Sequence, residues 1–204
     1  MLTLKNISCK RGEKTLFKNL SFTIGDRCAL VIRGANGSGK TSLLNIIACL
    51  SSPSEGEILY ANENVTGKHW KEYCSIIQYI GHKNALKPQL TVLENLQFWA
   101  KLRDSDERLN AALSFFDLDK YKHTPCGKLS QGWQKKAALA RLLALPSEIW
   151  LLDEPFTNLD EDTKLKLNSI IETRCENGGS VILATHGAVN INNSVELNLE
   201  DFTA

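Results

Sequence analysis

Eight consecutive residues, 34–41, have the types and spacing of a loop that binds phosphate. They read Gly-Ala-Asn-Gly-Ser-Gly-Lys-Thr, which is the G-x-x-x-x-G-K-[ST] pattern. Glycines let the backbone curl so that successive N–H groups face one anion, and a following helix adds the positive end of its dipole. Lys40 would bridge the β- and γ-phosphates of a nucleotide, and the Thr41 hydroxyl would ligate Mg²⁺. The candidate phosphate-binding residues are Gly34, Ala35, Asn36, Gly37, Ser38, Gly39, Lys40 and Thr41.

The residues on either side of this loop predict the elements that must hold it. Residues 28–33 form a short apolar run typical of a buried parallel strand, and residues 42–50 are apolar at helical spacing. Strand, glycine-rich loop and helix in this order are the context that the motif requires. The alternative is a glycine-rich turn before an ordinary helix, which the Lys-Thr pair and the matching flanks disfavour.

Two further apolar runs, residues 148–153 and 180–185, end in side chains that could act on a phosphate. The first ends at Asp153 and Glu154, and the second is followed by His186. Because ligands of an open parallel sheet bind beyond the carboxyl ends of its strands, these residues can converge on one nucleotide. We expect Asp153 to hold Mg²⁺ through water, Glu154 to polarise the attacking water and His186 to contact the γ-phosphate. The alternatives are carboxylates in solvent and a structural histidine.

Composition places the chain among globular proteins and disfavours several classes of function. Of 204 residues, 43% are hydrophobic and 23% are charged, which allows one domain with a real core. A formal net charge of +1 gives no electrostatic case for nucleic acid as a partner. The apolar stretches are too short to span a bilayer, and the first residues do not resemble a signal peptide. The six cysteines form no C-x-x-C pair, so they indicate a reducing, cytoplasmic compartment and no zinc or disulfide framework.

The first 80 residues predict mainly strands. Apolar residues alternate with polar ones in two early stretches, which predicts an N-terminal antiparallel piece made of half-buried strands. The alternating residues are Leu2 and Leu4 in the first stretch and Leu20, Phe22 and Ile24 in the second. Residues 57–60 and 76–80 are apolar runs that predict two further strands.

The middle of the chain predicts a mainly helical subdomain. Residues 91–145 carry apolar residues at helical spacing, beginning at a Thr-x-x-Glu capping box. We place this subdomain at about residues 84–147, inserted in a single domain that spans residues 1–204. After it, residues 163–171 predict a helix, and a short strand at 195–199 is expected in the polar tail.

The segment Leu129-Ser130-Gln131-Gly132-Trp133 resembles the signature L-S-x-G-Q of the ATP-binding-cassette (ABC) ATPases. The phosphate loop, this segment, the strand-terminal carboxylates and the histidine follow one another in the family's order. Residues 158–160, Asn-Leu-Asp, resemble its D-loop. The resemblance covers nearly the whole chain, from about Leu2 to His186. It implies an α/β, P-loop NTPase fold with a mostly parallel core sheet, an N-terminal antiparallel β piece and an inserted α-helical subdomain.

The resemblance also implies how the chain would bind and hydrolyse ATP, its substrate together with Mg²⁺. In the family, the signature of one chain binds the γ-phosphate held by another, so two copies sandwich ATP head to tail. The residues that would complete the site from the opposite subunit are Ser130, Gln131 and Gly132. A second copy of the chain is therefore an expected partner.

Three positions depart from the family pattern. Trp133 stands where Gln is usual, and His82 stands where a Gln usually ends the strand before the helical subdomain. Arg11 stands where an aromatic residue usually stacks on adenine. His82 could still act in catalysis by binding Mg²⁺ or the attacking water, or it could be a surface histidine. The Arg11 guanidinium could stack on the base in place of the aromatic ring.

Within the family, several segments are similar to the ATPase subunits of cytochrome c maturation systems, also called haem exporters. Among them are residues 80–82 and residues 184–186. This similarity implies a peripheral protein at the cytoplasmic face of the inner membrane, with integral-membrane permease subunits of the CcmB and CcmC type. No direct haem ligation is expected, because the four histidines form no C-x-x-C-H or clustered site. Four alternatives stay open: the ATPase of another ABC transporter, a soluble non-transport ABC ATPase, a nucleotide kinase, and a regulatory protein that binds nucleotide without hydrolysing it.

Overall fold

The computed structural model describes residues 1–65, 69–103, 107–187 and 189–203, and its internal contacts divide it into two units. The sheet unit comprises Met1–Tyr79, Glu148–Glu154 and Asn168–Ala204. The helical unit comprises Ile80–Ser147 and Pro155–Leu167. The chain therefore leaves the sheet unit twice and returns to it twice.

Nine strands form two sheets among the described residues. In chain order they are β1 (Leu2–Arg11), β2 (Lys14–Ile24), β3 (Ala29–Arg33), β4 (Glu55–Tyr60), β5 (Glu63–Asn64), β6 (Ile77–Ile80), β7 (Ile149–Asp153), β8 (Ser180–Ala184) and β9 (Ser194–Asn198). The first sheet has the order β2-β1-β4-β5, and its paired strands are antiparallel. The predicted N-terminal antiparallel piece is confirmed, because its apolar residues Leu2, Leu4 and Leu20 are buried on one face.

The second sheet has the order β6-β7-β8-β3-β9 and carries the phosphate loop. The pairs β3–β8, β3–β9 and β7–β8 are parallel. Every residue of β7 and of β8 is buried, as expected for strands in the middle of a parallel sheet. Since β3, β7 and β8 are adjacent and parallel, their carboxyl ends lie at one edge of the sheet.

Helix α1 (Lys40–Ile47) follows the phosphate loop and anchors it to the core. Its apolar side chains Leu43, Leu44, Ile46 and Ile47 are all buried in the core of the sheet unit. Burial of each such side chain contributes about 1.5–3 kcal/mol to folding. The predicted order of strand, loop and helix is therefore present, with the helix ending at Ile47 and not at residue 50.

Two elements of the sheet unit differ from what the sequence patterns predict. Helix α2 (Trp70–Ile76) was not expected, and Ile76 ends this helix instead of beginning β6. The helix buries only Tyr73 completely, so its sequence lacks the apolar stripe that reveals longer helices. The tail forms β9, which is a full parallel partner of β3, followed by a 3-10 turn at Leu199–Phe202.

The helical unit contains α3 (Val92–Lys101), α4 (Leu109–Phe115) and α5 (Gln131–Ala144). The predicted capping box is confirmed: Glu94 N donates to Thr91 Oγ1 at 3.2 Å, and Thr91 N donates to Glu94 Oε2 at 2.8 Å. Hydrogen bonds from the backbone and side chain of Thr91 lower the pKa of Glu94. Helix α6 (Glu161–Glu176) is longer than predicted and extends over residues of both units. In the part of the chain that the structure describes, none of these helices has the length and apolar content to cross a bilayer.

Candidate functional site

The phosphate loop joins the end of β3 to the start of α1, and two of its glycines are structurally required. The backbone φ is +143° at Gly34 and +109° at Gly39, which is the left-handed region. A Cβ atom at Gly34 would lie 2.7 Å from the Ser38 hydroxyl, and one at Gly39 would lie 3.0 Å from the Phe17 ring. Only glycine satisfies both the dihedral angle and the available space there. The loop is thus shaped by close packing onto β2 as well as by its own curl.

The polar groups inside the loop suit an anion. The Lys40 ammonium donates to the carbonyl oxygens of Gly34 at 2.7 Å and Ala35 at 3.0 Å, and the residue is buried. The Ser38 hydroxyl oxygen is also buried and has no hydrogen-bond partner among the described residues. A buried hydroxyl without a partner is costly unless a ligand supplies one. Phosphate oxygens would supply partners for both the hydroxyl and the ammonium.

A hydrogen bond joins the phosphate loop to the end of β7. The Thr41 hydroxyl donates to Asp153 Oδ2 at 2.8 Å, and Asp153 is only 2% exposed. A hydroxyl oxygen and a carboxylate side by side are hard ligands of the kind that Mg²⁺ prefers, so these two residues fit that ion. Burial raises the pKa of Tyr79 to about 12, and the charge of Asp153 adds to the shift. The Tyr79 phenol therefore stays protonated at neutral pH.

Glu154 occupies a strained position immediately after β7. Its φ of 46° is left-handed, a conformation that costs a non-glycine residue about 1–3 kcal/mol and is often found at functional sites. The backbone N–H of Glu154 donates to Ala184 O at 2.9 Å, which fixes the turn against β8. The side chain is 16% exposed, so its carboxylate is partly shielded from water. The carboxylate lies against the residues that follow β8.

The residues after β8 donate three hydrogen bonds to the Glu154 carboxylate. His186 approaches Oε1 with its backbone N at 3.1 Å and with its ring Nδ1 at 2.8 Å. The Thr185 hydroxyl donates to Oε2 at 3.1 Å. When the carboxylate is ionised it only accepts hydrogen bonds, and the 2.8 Å contact then requires the proton on Nδ1. The second ring nitrogen of His186 is then left to face solvent or a ligand, in a side chain that is 61% exposed.

The signature segment lies in the helical unit, at the start of α5. Ser130 is the N-cap of this helix, and its hydroxyl accepts a hydrogen bond from Trp133 N at 3.5 Å. Asn158 contacts both following residues: its side chain donates to Gln131 Oε1 at 3.4 Å, and its carbonyl oxygen would lie 3.0 Å from a Cβ atom at Gly132. The contacts of Ser130, Gln131 and Gly132 are thus local ones, within the helical unit.

Trp133, which replaces the usual Gln, is part of an aromatic and cationic cluster. Its ring lies 4.4 Å from that of Tyr121, and Lys136 Nζ lies 4.5 Å above it. Lys136 also pairs with Asp160 at 3.0 Å. Hydrogen bonds from the Thr163 hydroxyl and backbone, with the Lys136 ammonium, lower the pKa of Asp160. Packing within the helical unit therefore accounts for a tryptophan at this position.

Two predicted site residues make no contact that assigns them a role. His82 is exposed in the loop after β6, and Arg11 is exposed at the end of β1. Neither side chain forms a hydrogen bond or an ion pair with any residue that the structure describes. Their participation stays a prediction.

Sequence reasoning missed four residues of the sheet unit that interact with the site or with the segments beside it. The Thr185 hydroxyl donates to the Glu154 carboxylate, and burial together with the charge of Asp153 raises the pKa of Tyr79. Glu200 accepts a hydrogen bond from the phosphate-loop N–H of Ala35 at 2.8 Å, and Arg33 pairs with Glu196 at 2.9 Å. The sequence could have pointed to Thr185 and Arg33, because each lies directly at the end of a predicted strand. Glu200 could not be found without knowing that β9 pairs with β3.

The chain resembles known proteins over most of its length. A sequence model of the family described as ABC transporter matches residues 17–157. The "Cytochrome c biogenesis ATP-binding export protein CcmA" of Rickettsia bellii is 43% identical over 199 residues, which are 98% of this chain and 100% of that protein. The protein of the same description from Wolbachia pipientis is 42% identical over 188 residues, 92% of this chain and 90% of that protein.

Solved structures share the fold. One is a dimeric ATP-binding cassette in a post-hydrolysis state bound to ADP and Pi, with a TM-score of 0.78 and 31% sequence identity. The match covers 92% of this chain and 88% of that one.

Proposed function

The chain belongs to the ABC transporter family of ATP-binding proteins, and on that premise we propose that it hydrolyses ATP for an export system of cytochrome c biogenesis. The family resemblance and the α/β P-loop fold expected from the sequence are thereby confirmed. One observation carries the proposal: two hydrogen bonds join side chains beside the phosphate loop. The first runs from Thr41 in the first turn of α1 to Asp153 at the end of β7. The second joins Glu154, directly after β7, to His186 after β8.

Nucleotide binding is assigned to residues 34–41. The backbone N–H groups of the loop and the N-terminus of α1 would hold the phosphates of ATP, with Lys40 contacting the β- and γ-phosphates. Thr41 and Asp153 would hold Mg²⁺, the carboxylate through water. The ion would neutralise charge that develops on the phosphates during transfer.

Hydrolysis is assigned to Glu154 and His186. The Glu154 carboxylate would accept a proton from the attacking water, which makes that water a stronger nucleophile. His186 holds this carboxylate through Nδ1, and its other ring nitrogen would donate to a γ-phosphate oxygen when both ring nitrogens carry a proton. The short contact between the two residues keeps the base and the phosphate-binding group in one arrangement.

A second copy of the chain would complete the site. Ser130, Gln131 and Gly132 of the opposite subunit would bind the γ-phosphate at the N-terminus of α5, where a helix dipole favours an anion. The contacts found for these three residues are local to the helical unit, which is compatible with this assignment. The dimeric cassette bound to ADP and Pi, to which the chain is similar, supports the same assembly.

Two of the three departures from the family pattern, His82 and Arg11, receive minor roles. His82 would contact Mg²⁺ or the attacking water in place of the usual Gln. The guanidinium of Arg11 would stack on adenine. Both side chains are exposed, and His82→Ala and Arg11→Ala would each test one role through kcat and through the KM for ATP.

The biological setting follows from the curated relatives. Both are named for cytochrome c biogenesis and export, so permease subunits of the CcmB and CcmC type are the proposed membrane partners. The chain would then lie at the cytoplasmic face of the inner membrane as a peripheral subunit, its helical subdomain contacting the permease. Among the described residues no group of three or more His, Cys, Asp and Glu side chains could hold a metal ion, and the proposal leaves haem to the partners.

The experiment is to isolate the Glu154→Gln chain, with ATP bound, from solubilised membranes of its own cells. Mass spectrometry should find small polytopic proteins of the cytochrome c system, and a Lys40→Ala strain should lose its c-type cytochromes. A different permease in the eluate would keep the ATPase function and discard the cytochrome c assignment. A chain found only in the soluble fraction would contradict the transporter role altogether.

A further inference from the structure

Arg33, the last residue of β3, reaches the segment that carries His186. Its guanidinium donates hydrogen bonds to the carbonyl oxygen of Gly187 and, at 3.5 Å, to that of Val189. The side chain is 23% exposed, so these bonds are partly shielded from water. The contacts are to backbone atoms, and they therefore constrain the path of the chain on the C-terminal side of His186.

Glu196 of β9 holds the same guanidinium from the other side. Its Oε1 atom lies 3.2 Å from Arg33 Nε and 2.9 Å from Nη2. The parallel register of β3 and β9 pairs Val31 with Glu196, which places the carboxylate beside the end of β3. A planar guanidinium can serve a carboxylate and two carbonyl groups at once because its five donors form a rigid fork, whereas an ammonium cannot reproduce this geometry.

The His186 segment is thus held at both of its ends. On one side, Glu154 accepts hydrogen bonds from Thr185 and His186. On the other side, Arg33 donates to Gly187 and Val189. Gly187 N also donates to the Thr185 hydroxyl at 3.2 Å, which closes the turn between the two sides.

We propose that Arg33 is a positioning residue for ATP hydrolysis, which acts by fixing the His186 ring against the Glu154 carboxylate. It contacts no atom of the phosphate loop's anion site through its guanidinium, so its effect on turnover passes through His186. The inference rests on the proposed roles of Glu154 and His186. Because Glu196 of β9 holds the Arg33 guanidinium, the inference also makes turnover depend on β9. The sequence patterns predict no role for this strand in the site.

The test is a double-mutant cycle with Arg33→Met and His186→Ala, measured as phosphate release by the full chain at saturating ATP and Mg²⁺. Arg33→Met should lower kcat about tenfold and change the KM for ATP less than about twofold, because geometry and not binding is lost. In the His186→Ala background the same substitution should have no further effect. Arg33→Lys keeps the charge but not the rigid fork of donors, so it should lower kcat as Arg33→Met does. It takes the place of Arg33→Met in the test if the apolar variant folds poorly.

The control is Lys5→Met, which removes an exposed ion pair with Glu57 in the same unit and should leave kcat unchanged. Equal losses from Arg33→Met in both backgrounds, or a lower melting temperature with unchanged kcat, would overturn the positioning role. If His186→Ala lost turnover and Arg33→Met did not, the positioning role of Arg33 would be overturned, whereas the proposed role of His186 would stand. If neither Glu154→Gln nor His186→Ala lowered kcat, the proposed catalytic roles would fail and this inference with them.

Discussion

The strand ends of the sheet unit and the start of α5 in the helical unit both carry residues assigned to ATP, but they are organised differently. In the sheet unit, Thr41 contacts Asp153 and His186 contacts Glu154, so functional side chains bind one another directly. At the start of α5, Ser130 only caps its own helix and Gly132 only approaches Asn158. One region is assembled within the chain, whereas the other presents groups that contact no other predicted site residue in the described part of their own unit.

This difference predicts two kinds of mutant. Changes at the strand ends should affect the chemical step, since those groups are already in place for it. Changes at the start of α5 should affect the association of two chains around ATP, because that is where the groups would first be used.

The largest expected effect is that of Glu154→Gln, which keeps the shape of the side chain but removes the base. Turnover should fall by roughly 10²–10⁴-fold while ATP binding persists. Phosphate release and binding of a fluorescent ATP analogue measure the two quantities separately. Unchanged turnover would remove Glu154 from the base role, and a loss of binding would mean that the variant disrupts the phosphate loop. Lys40→Ala is the matched comparison and should weaken binding itself.

Gly132→Ala should have a smaller effect, and it should act on the association of two chains around ATP and not on the chemical step. The new Cβ atom would lie 3.0 Å from the carbonyl oxygen of Asn158, so this backbone must move by a few tenths of an ångström. We expect turnover to fall about tenfold, in the range that small displacements of positioned groups produce. ATP binding by the isolated chain should not change. Gly178→Ala, at a site with open space, controls for the loss of a glycine, although its φ of +93° makes a small loss of stability expected there.

The smallest effect concerns stability and has a defined pH dependence. Asp160 accepts from Thr163 N at 2.8 Å at the start of α6, so Asp160→Ala should destabilise the chain by about 1 kcal/mol at pH 7. The pKa of Asp160 is lowered in the folded state, so its contribution is complete above the unfolded value of about 4 and is lost as the pH falls. The difference in melting temperature between wild type and variant should therefore shrink in acid. A difference that stayed constant down to pH 3 would contradict this account.

Asp162→Ala is the matched control for that measurement. Among the described residues, its carboxylate, which is 72% exposed, forms an i,i+4 pair with Lys166 at 3.2 Å. Such surface pairs contribute little, so the variant should melt within a degree or two of wild type at every pH.

The elements that could be predicted from sequence are those whose signal is local. The phosphate loop, the capping box at Thr91 and the buried runs of β7 and β8 each depend on residues near one another in the chain. Helix α2 was missed because a single buried residue, Tyr73, leaves no periodic pattern.

What could not be predicted depends on strand register. The hydrogen bond from Thr185 to Glu154 exists because β7 and β8 are parallel neighbours, and that of Arg33 with Glu196 exists because β9 pairs with β3. A polar tail with weak alternation predicts a strand but not its neighbour. The packing of Trp133 against Tyr121 likewise joins residues whose contact has no signature in the sequence.

The measurement that tests the shared site most directly is analytical ultracentrifugation of the Glu154→Gln chain with and without ATP. We expect a monomer of 22.7 kDa without nucleotide and a dimer with it. The double variant Ser130→Arg, Glu154→Gln should bind ATP with unchanged affinity and stay monomeric, because the added bulk and charge block the N-terminus of α5. A dimer that forms regardless of ATP or of Ser130, or a loss of ATP affinity in the Ser130→Arg monomer, would contradict a site completed by a second chain.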